Sequence, residues 1–286
     1  MSGSPSPHQE PWSLVITPQR GWLDLRLGDV FRYRDLLLLF VRRDFVAFYK
    51  QTILGPLWFG LRPLLTTLVF VVVFNRIAGL SSDGLPAILF YLSGVTLWSF
   101  FSESFTKSAM TFVNNARVFE KVYFPRLIAP LAAVGSNLLR FAVQFAILLC
   151  VAVYFWVQGV ALPTFSVIGL PLVLAVAALQ AMGLGLIFAS MTTKYRDLQF
   201  LLAFAVQLAM YATPVIYPVS AIPEGYSALI RLNPVTPLVE SFRLMMLGTG
   251  TVSVYDLIYA ALFAAVAFFL GLVVFNRVEA NVMDTV

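Results

Sequence analysis

Long unbroken apolar runs constrain this chain more than any other feature. Segments near 57–75, 86–109, 127–157, 166–191, 199–217 and 254–275 each supply roughly 17 or more mostly apolar residues, enough to cross a hydrocarbon core about 30 Å thick. They are apolar on all sides, whereas the strands of a membrane barrel alternate apolar and polar residues. The chain therefore reads as an all-α membrane protein with six transmembrane helices. Composition agrees: 60% of the residues are hydrophobic and 12% charged, against about half and a quarter in soluble domains. The run after Arg126 is long enough to tilt or to project beyond the bilayer.

Charge placement orients the bundle. With both termini cytoplasmic, fourteen Lys/Arg fall on the inside and three on the outside, Arg76, Arg231 and Arg243. The reverse topology inverts that bias. The first twenty residues are polar, with no apolar core of a cleaved leader. Cys150, the single cysteine, excludes an intrachain disulfide and reads as a small packed hydrophobe. The net charge of +5 flanks apolar spans and forms no dense patch, so nucleic acid is not an expected partner.

The stretches between spans carry most of the information. Residues 1–31 read as a loose cytoplasmic tail, and 32–286 as one transmembrane domain. Residues 32–50 mix Leu36 to Val41, Phe45 and Tyr49 with Arg34, Asp35, Arg42, Arg43, Asp44 and Lys50. That pattern suits an amphipathic interfacial helix on the inner membrane face, for anchoring or for docking a cytoplasmic partner. Gly55-Pro56 punctuates the chain before the first span. Trp58 sits at the inner interface, and Arg62 lies one turn deeper, where it positions the helix or meets a substrate. Glu103 and Lys107 share a helical face, to pair with each other or to shape a polar entrance.

Between the second and third spans, 110–126 reads as a short amphipathic helix capped by Asn114 or Asn115 and ended by Pro125. The third span holds Asn137, Arg140 and Gln144. A mid-membrane arginine is costly and faces protein or water rather than lipid. Gly183 and Gly185 in the fourth span permit close helix approach. Residues 218–248 contain Pro218, Pro223, Pro234 and Pro237 and apolar stretches too short to cross. Pro223-Glu224 and Thr236-Pro237 are credible helix starts, with threonine as a cap. Two short external helices follow, re-entrant or covering an exit, with a packing cap as the simpler alternative.

No catalytic, cofactor or metal site is expected in this chain. The one histidine, His8, lies in the tail, and no GxxxxGK[ST] string occurs. A transport subunit, a membrane enzyme and a scaffold remain as classes. Buried acids that would mark an ion-coupled transporter are sparse.

Several strings are similar to one family. They are RDLLLLFVRRDFVAFYKQTILGPLWFGLRPL from Arg34, NNARVFEKVYFPR from Asn114, Tyr195-Arg196-Asp197-Leu198, and Leu232-Asn233-Pro234 with Pro237 and Glu240. Together they resemble the permease subunit of bacterial ABC-2 type polysaccharide exporters, the membrane halves of O-antigen, capsule and teichoic-acid export systems. The resemblance implies the ABC-2 type permease fold in the inner membrane. Two copies of this chain would pair with two copies of a cytoplasmic ABC ATPase subunit, which would bind ATP and Mg. The cargo would be a lipid-linked polysaccharide, and the chain itself would not be an enzyme.

By the same resemblance, Arg42, Arg43, Asp44, Arg117, Glu120, Lys121, Tyr123, Tyr195, Arg196 and Asp197 form the ATPase-coupling surface. The external gate comprises Pro223, Glu224, Asn233, Pro234, Pro237, Glu240 and Arg243. Sugars offer apolar C–H faces and hydroxyls, so Tyr91, Trp98, Phe101, Phe105, Tyr211 and Tyr217 are expected to line the path. Arg62 and Arg140 are expected to hold a lipid pyrophosphate. The alternatives are a permease for a small hydrophobic compound or drug, and a scaffold that recruits an ATPase without transport.

Overall fold

A computed structural model describes residues 27–50, 52–122, 124–160, 168–195 and 197–283. Among them there is no strand; the elements are helices and turns. The chain becomes helical earlier than 32, in α1 (Leu27–Arg32), breaks at Tyr33 and resumes in α2 (Arg34–Tyr49). Most of the tail lies outside the described residues. A tight turn at Gly55–Leu57, with Gly55 at φ 54°, leads into α3 (Trp58–Phe70) and then into π-helical turns over Val71–Ile77. Pro63 sits inside α3.

Next come α4 (Ala87–Ala109), the short α5 (Thr111–Phe119), α6 (Ile128–Val157), α7 (Leu170–Lys194) and α8 (Leu198–Tyr211). The segment after α8 folds into α9 (Glu224–Leu232) and α10 (Thr236–Leu247), and α11 (Val254–Met283) ends the described chain.

Among the described residues, four helical stretches are long and apolar enough to cross a membrane: Gly55–Ile77, Ile128–Val157, Leu170–Lys194 and Val254–Val278. Helix α4 is long enough, but it carries Ser93, Thr96, Ser102, Glu103, Ser104 and Lys107. It tolerates them because it is the bundle axis: α3, α6, α7, α8 and α10 all pack on it. Polar groups facing protein can be satisfied there, whereas groups facing lipid cannot. Helix α6, with 30 residues, is about 45 Å long at 1.5 Å per residue and exceeds the bilayer core.

Helix α8 stops at Tyr211, short of the end of its apolar run. Pro214 disfavours helix at Thr213 and Pro218 has no N–H to give, so the ladder cannot continue.

Helix contacts inside a bilayer depend on close fit, because lipid tails are as apolar as leucine. Small residues provide that fit. A Cβ on Gly183 would strike the backbone of Ala267 and Phe268 in α11, and one on Gly271 would strike the Gly183 carbonyl. A Cβ on Gly185 would strike Ser108 in α4. The two glycines therefore serve different seams, α7–α11 and α7–α4.

Cys150 departs from expectation. It is exposed, because the buried stripe of α6 runs through Phe141, Gln144, Leu148 and Ala152 and Cys150 falls off that face.

Candidate functional site

One end of the bundle is built from α2 and α5. Helix α2 lies along the first half of α6, with Phe40 buried against Phe124, Ile128 and Ala132. Arg42 is exposed. Arg43 pairs with Asp44 at 2.8 Å, lies 4.3 Å from the centre of the Phe40 ring, and donates to Asn115 Oδ1 at 3.2 Å.

Asn115 does not cap α5. The helix starts at Thr111, so Asn114 and Asn115 are interior, and the Asn115 amide donates back to the Thr111 carbonyl at 3.0 Å. Arg117, Glu120 and Lys121 are exposed. Tyr195 is exposed beneath Lys194, and Asp197 caps α8 by accepting from Leu198 N–H at 3.1 Å. Tyr123 and Arg196 lie outside the described residues. The structure thus joins the 42–44 and 115–121 groups directly through Arg43 and Asn115.

One level deeper, α4 and α6 share a polar seam. Asn137 donates to Ser104 at 3.2 Å and accepts from Lys107 at 2.9 Å. Arg140 pairs with Glu103 at 3.1 Å and reaches the Asp44 carbonyl of α2 at 3.5 Å. Its guanidinium also lies 5.2 Å from the centre of the Phe59 ring on α3. Glu103 and Lys107 therefore each look across to α6. Arg140 faces protein, as its cost in lipid demands.

Two clefts flank this seam. One of about 450 Å³ opens between α2, α4, α5 and α6 and is lined by Arg43, Asp44, Lys107, Asn115 and Arg140 among others. The other, about 180 Å³, lies between α3, α4, α6 and α8, where Arg62, Ser99, Glu103, Arg140 and Gln144 meet Trp58 and Phe59. Arg62 and Arg140, far apart in sequence, thus share a wall. Among the described residues Arg62 has no carboxylate partner, whereas Arg140 is already engaged.

The aromatic residues divide. Tyr91 packs on Phe70 and Phe90, and Tyr91, Trp98 and Phe101 are buried in the core. Phe105 stacks on Phe101 and meets Phe188 of α7 edge-on. Tyr211 is exposed, and the Tyr217 hydroxyl donates to the Tyr211 carbonyl at 3.0 Å.

At the opposite end of the bundle, α9 and α10 differ sharply. Pro223 precedes α9, whose Tyr226, Leu229 and Leu232 are exposed; the Glu224 side chain lies outside the described residues. Helix α10 is almost wholly buried against α4, α7 and α11. Thr236 is its first residue rather than its cap, and its hydroxyl donates to the Ile230 carbonyl at 2.8 Å. Asn233 orders the turn before it, accepting from Val235 N–H at 3.0 Å and donating to Thr213 Oγ1 at 2.9 Å. Pro234 follows Asn233 in that turn, and Pro237 lies in the first turn of α10.

Arg243 is not an exposed outer charge. It is 1% exposed, pairs with Glu240 at 2.7 Å and lies 3.8 Å from the centre of the Phe90 ring. Glu240 also accepts from Thr251 N–H at 2.9 Å.

Sequence comparison places these features in a class. The ABC-2 type transporter family model matches residues 35–247, and the chain belongs to that family; it is an integral membrane protein. Among its relatives is an O-antigen export system permease protein RfbA of Klebsiella pneumoniae, 28% identical over 254 residues, covering 88% of this chain and 94% of that protein. A second RfbA permease, of Myxococcus xanthus, is 30% identical over 219 residues, 75% of this chain and 81% of the relative. The polysialic acid transport protein KpsM of Escherichia coli is 24% identical over 242 residues, 84% of this chain and 92% of the relative.

Proposed function

We propose that this chain is the membrane subunit of an ATP-driven exporter of a lipid-linked, O-antigen-like polysaccharide across the inner membrane. Two copies form the conduit and two separate ATPase subunits drive it. Each copy crosses the membrane six times, α4 and the short α8 included, with both termini cytoplasmic. Helices α2 and α5 and the α7–α8 turn receive the ATPase. Helix α8 buries only Leu202 and exposes Phe200, Leu201, Phe204 and Leu208, a face suited to lipid or to the second copy.

The observation that carries this reading is the cleft holding both Arg62 and Arg140. Arg62, with no carboxylate partner among the described residues, stands there beside the Arg140–Glu103 pair and the polar Thr66, Ser99, Ser102 and Gln144; that lining suits an anionic lipid headgroup, and the neighbouring Trp58 suits the apolar face of a first sugar. The cargo class follows the relatives, which are named for O-antigen export and polysialic acid transport. Tyr211 and Tyr217 extend the path outward from the cleft. The buried Tyr91, Trp98 and Phe101 support the wall behind it, with Phe105 stacked beneath them.

Charge removal tests the cleft. R62Q combined with R140Q should abolish polysaccharide export while the permease still assembles with its ATPase. Unchanged export with intact assembly would sink the headgroup role. Export of small hydrophobic compounds by the intact complex, with no glycan moved, would favour the drug-permease alternative.

A further inference from the structure

We propose that the larger cleft, between α2, α4, α5 and α6, is a separate site for the phosphate of an anionic bilayer phospholipid, with Lys107 as its cation. This site is distinct from the one assigned to the cargo and does not depend on it.

Charge pairing around the cleft leaves one cation over. Arg43 is paired with Asp44 at 2.8 Å and Arg140 with Glu103 at 3.1 Å. Lys107 has no carboxylate partner among the described residues. Its ammonium is held by neutral oxygens, Asn137 Oδ1 at 2.9 Å and Ser136 Oγ at 3.5 Å. An ammonium carries three donors, and the second of these bonds is at the limit of hydrogen-bond length. The cleft wall thus holds a partly buried positive charge, fixed in place and without a counter-ion. Charges taken out of water call for one.

The walls from α2 and α5 add donors. Arg43 uses Nε on Asp44 and Nη2 on Asn115, which leaves Nη1. Asn114 lines the same cleft, is exposed, and its amide bonds to nothing among the described residues. Lysine binds phosphate as a point charge, and guanidinium groups add directed bonds.

The rest of the lining favours a lipid over a free anion. Ala47, Val118, Ala129 and Ala133 supply an apolar portion, and the small alanines leave the hollow open. Its volume of about 450 Å³ lies in the range of small-molecule sites and far exceeds what a phosphate ion fills. Helix α2, which forms one wall, also exposes Leu38 and Leu39, as a helix lying in the membrane interface does. Basic pockets between membrane helices bind anionic headgroups.

The test is thermal unfolding of the full permease chain in uncharged detergent, titrated with short-chain phosphatidylglycerol, short-chain phosphatidylcholine or inorganic phosphate. A ligand of the folded chain raises its melting temperature with concentration. Phosphatidylglycerol should do so saturably, and neither of the others should match it. K107M removes the charge and keeps the length of the side chain. It should raise the half-saturating phosphatidylglycerol concentration about tenfold, the scale of one charged hydrogen bond. A47F fills the cleft from an exposed position of α2 and should do the same with every charge kept. R76Q, at an exposed charge outside the cleft, should titrate as wild type.

Wild-type titration by K107M would overturn Lys107 as the cation, and wild-type titration by A47F would overturn the cleft as the location. A47F decides should K107M fail to fold. Equal stabilisation by phosphatidylcholine would overturn the anionic headgroup. Equal stabilisation by inorganic phosphate would overturn the lipid and leave a free-anion site. No stabilisation of the wild-type chain by phosphatidylglycerol would overturn the site outright.

Discussion

Arg243 donates to the carbonyl of Pro214 at 3.0 Å, tying the chain just past the C-terminal end of α8 to α10. That carbonyl would meet the N–H of residue 218 in a continued helix, and residue 218 is proline. Neighbouring carbonyls lose partners in the same break, and Asn233 donates to that of Ala212 at 3.2 Å while Tyr217 serves that of Tyr211. Unsatisfied carbonyls cannot persist away from water. The proline-rich segment after α8 therefore supplies the cap for a helix that ends early. Gly94 of α4 completes the fit, since a Cβ there would lie 3.1 Å from the Val215 carbonyl and 3.2 Å from Arg243.

Removing one half of this buried pair should cost more than removing both. R243M leaves Glu240 charged and buried, and should destabilise by about 3–5 kcal/mol. E240M/R243M should recover a large part of that loss. Thermal unfolding of the purified chain in detergent reads both, and a double variant no better than R243M would contradict the pairing.

Gly183 should tolerate no side chain. G183A places a methyl against α11 backbone, which cannot yield as a flexible side chain would, and overpacking of this kind costs about 1–3 kcal/mol. G225A, at a site with nothing within 4 Å, should unfold near wild type. Equal melting temperatures for the two would show that α7 and α11 are not packed at Gly183.

How much of this was legible depended on distance along the chain. Apolar runs announce helices, and a lone arginine at 140 announces a protein-facing position. Its partner is not legible: the i,i+4 spacing offers Glu103 and Lys107 either as a pair or as the rim of a polar entrance, and in the structure Glu103 meets Arg140 and Lys107 meets Asn137, each lining a cleft. Periodicity cannot report which neighbouring helix lies opposite. The charge count placed Arg243 in water although Glu240 stands three residues before it on the same helix; what periodicity could not report is the Phe90 ring and the Pro214 carbonyl that other segments bring to it. The aromatic residues of α4 were legible as a cluster but not as core. Asn137, Arg140 and Gln144 recur at helical spacing, and that spacing was the available signal for the seam.

The exposed charges Arg117, Glu120 and Lys121 are expected to meet the ATPase. The double reversal R117E/K121E should weaken co-purification with the ATPase while the permease melts as wild type. Raising salt should weaken the wild-type complex in the same direction. Undiminished co-purification would remove 117–121 from that surface.

Orientation can be read by labelling. Cys150 is exposed on α6, so it is first replaced by serine. In intact cells G225C should react with a membrane-impermeant reagent and K121C should not, reacting only after the membrane is opened. Outside labelling at K121C would invert the topology.

The most direct measurement is vesicle export by the purified permease with its ATPase. With ATP, lipid-linked polysaccharide presented on the ATPase side should stimulate hydrolysis and appear on the far side. Polysaccharide that neither stimulates hydrolysis nor crosses, in a complex that assembles and hydrolyses ATP, would contradict the proposed function.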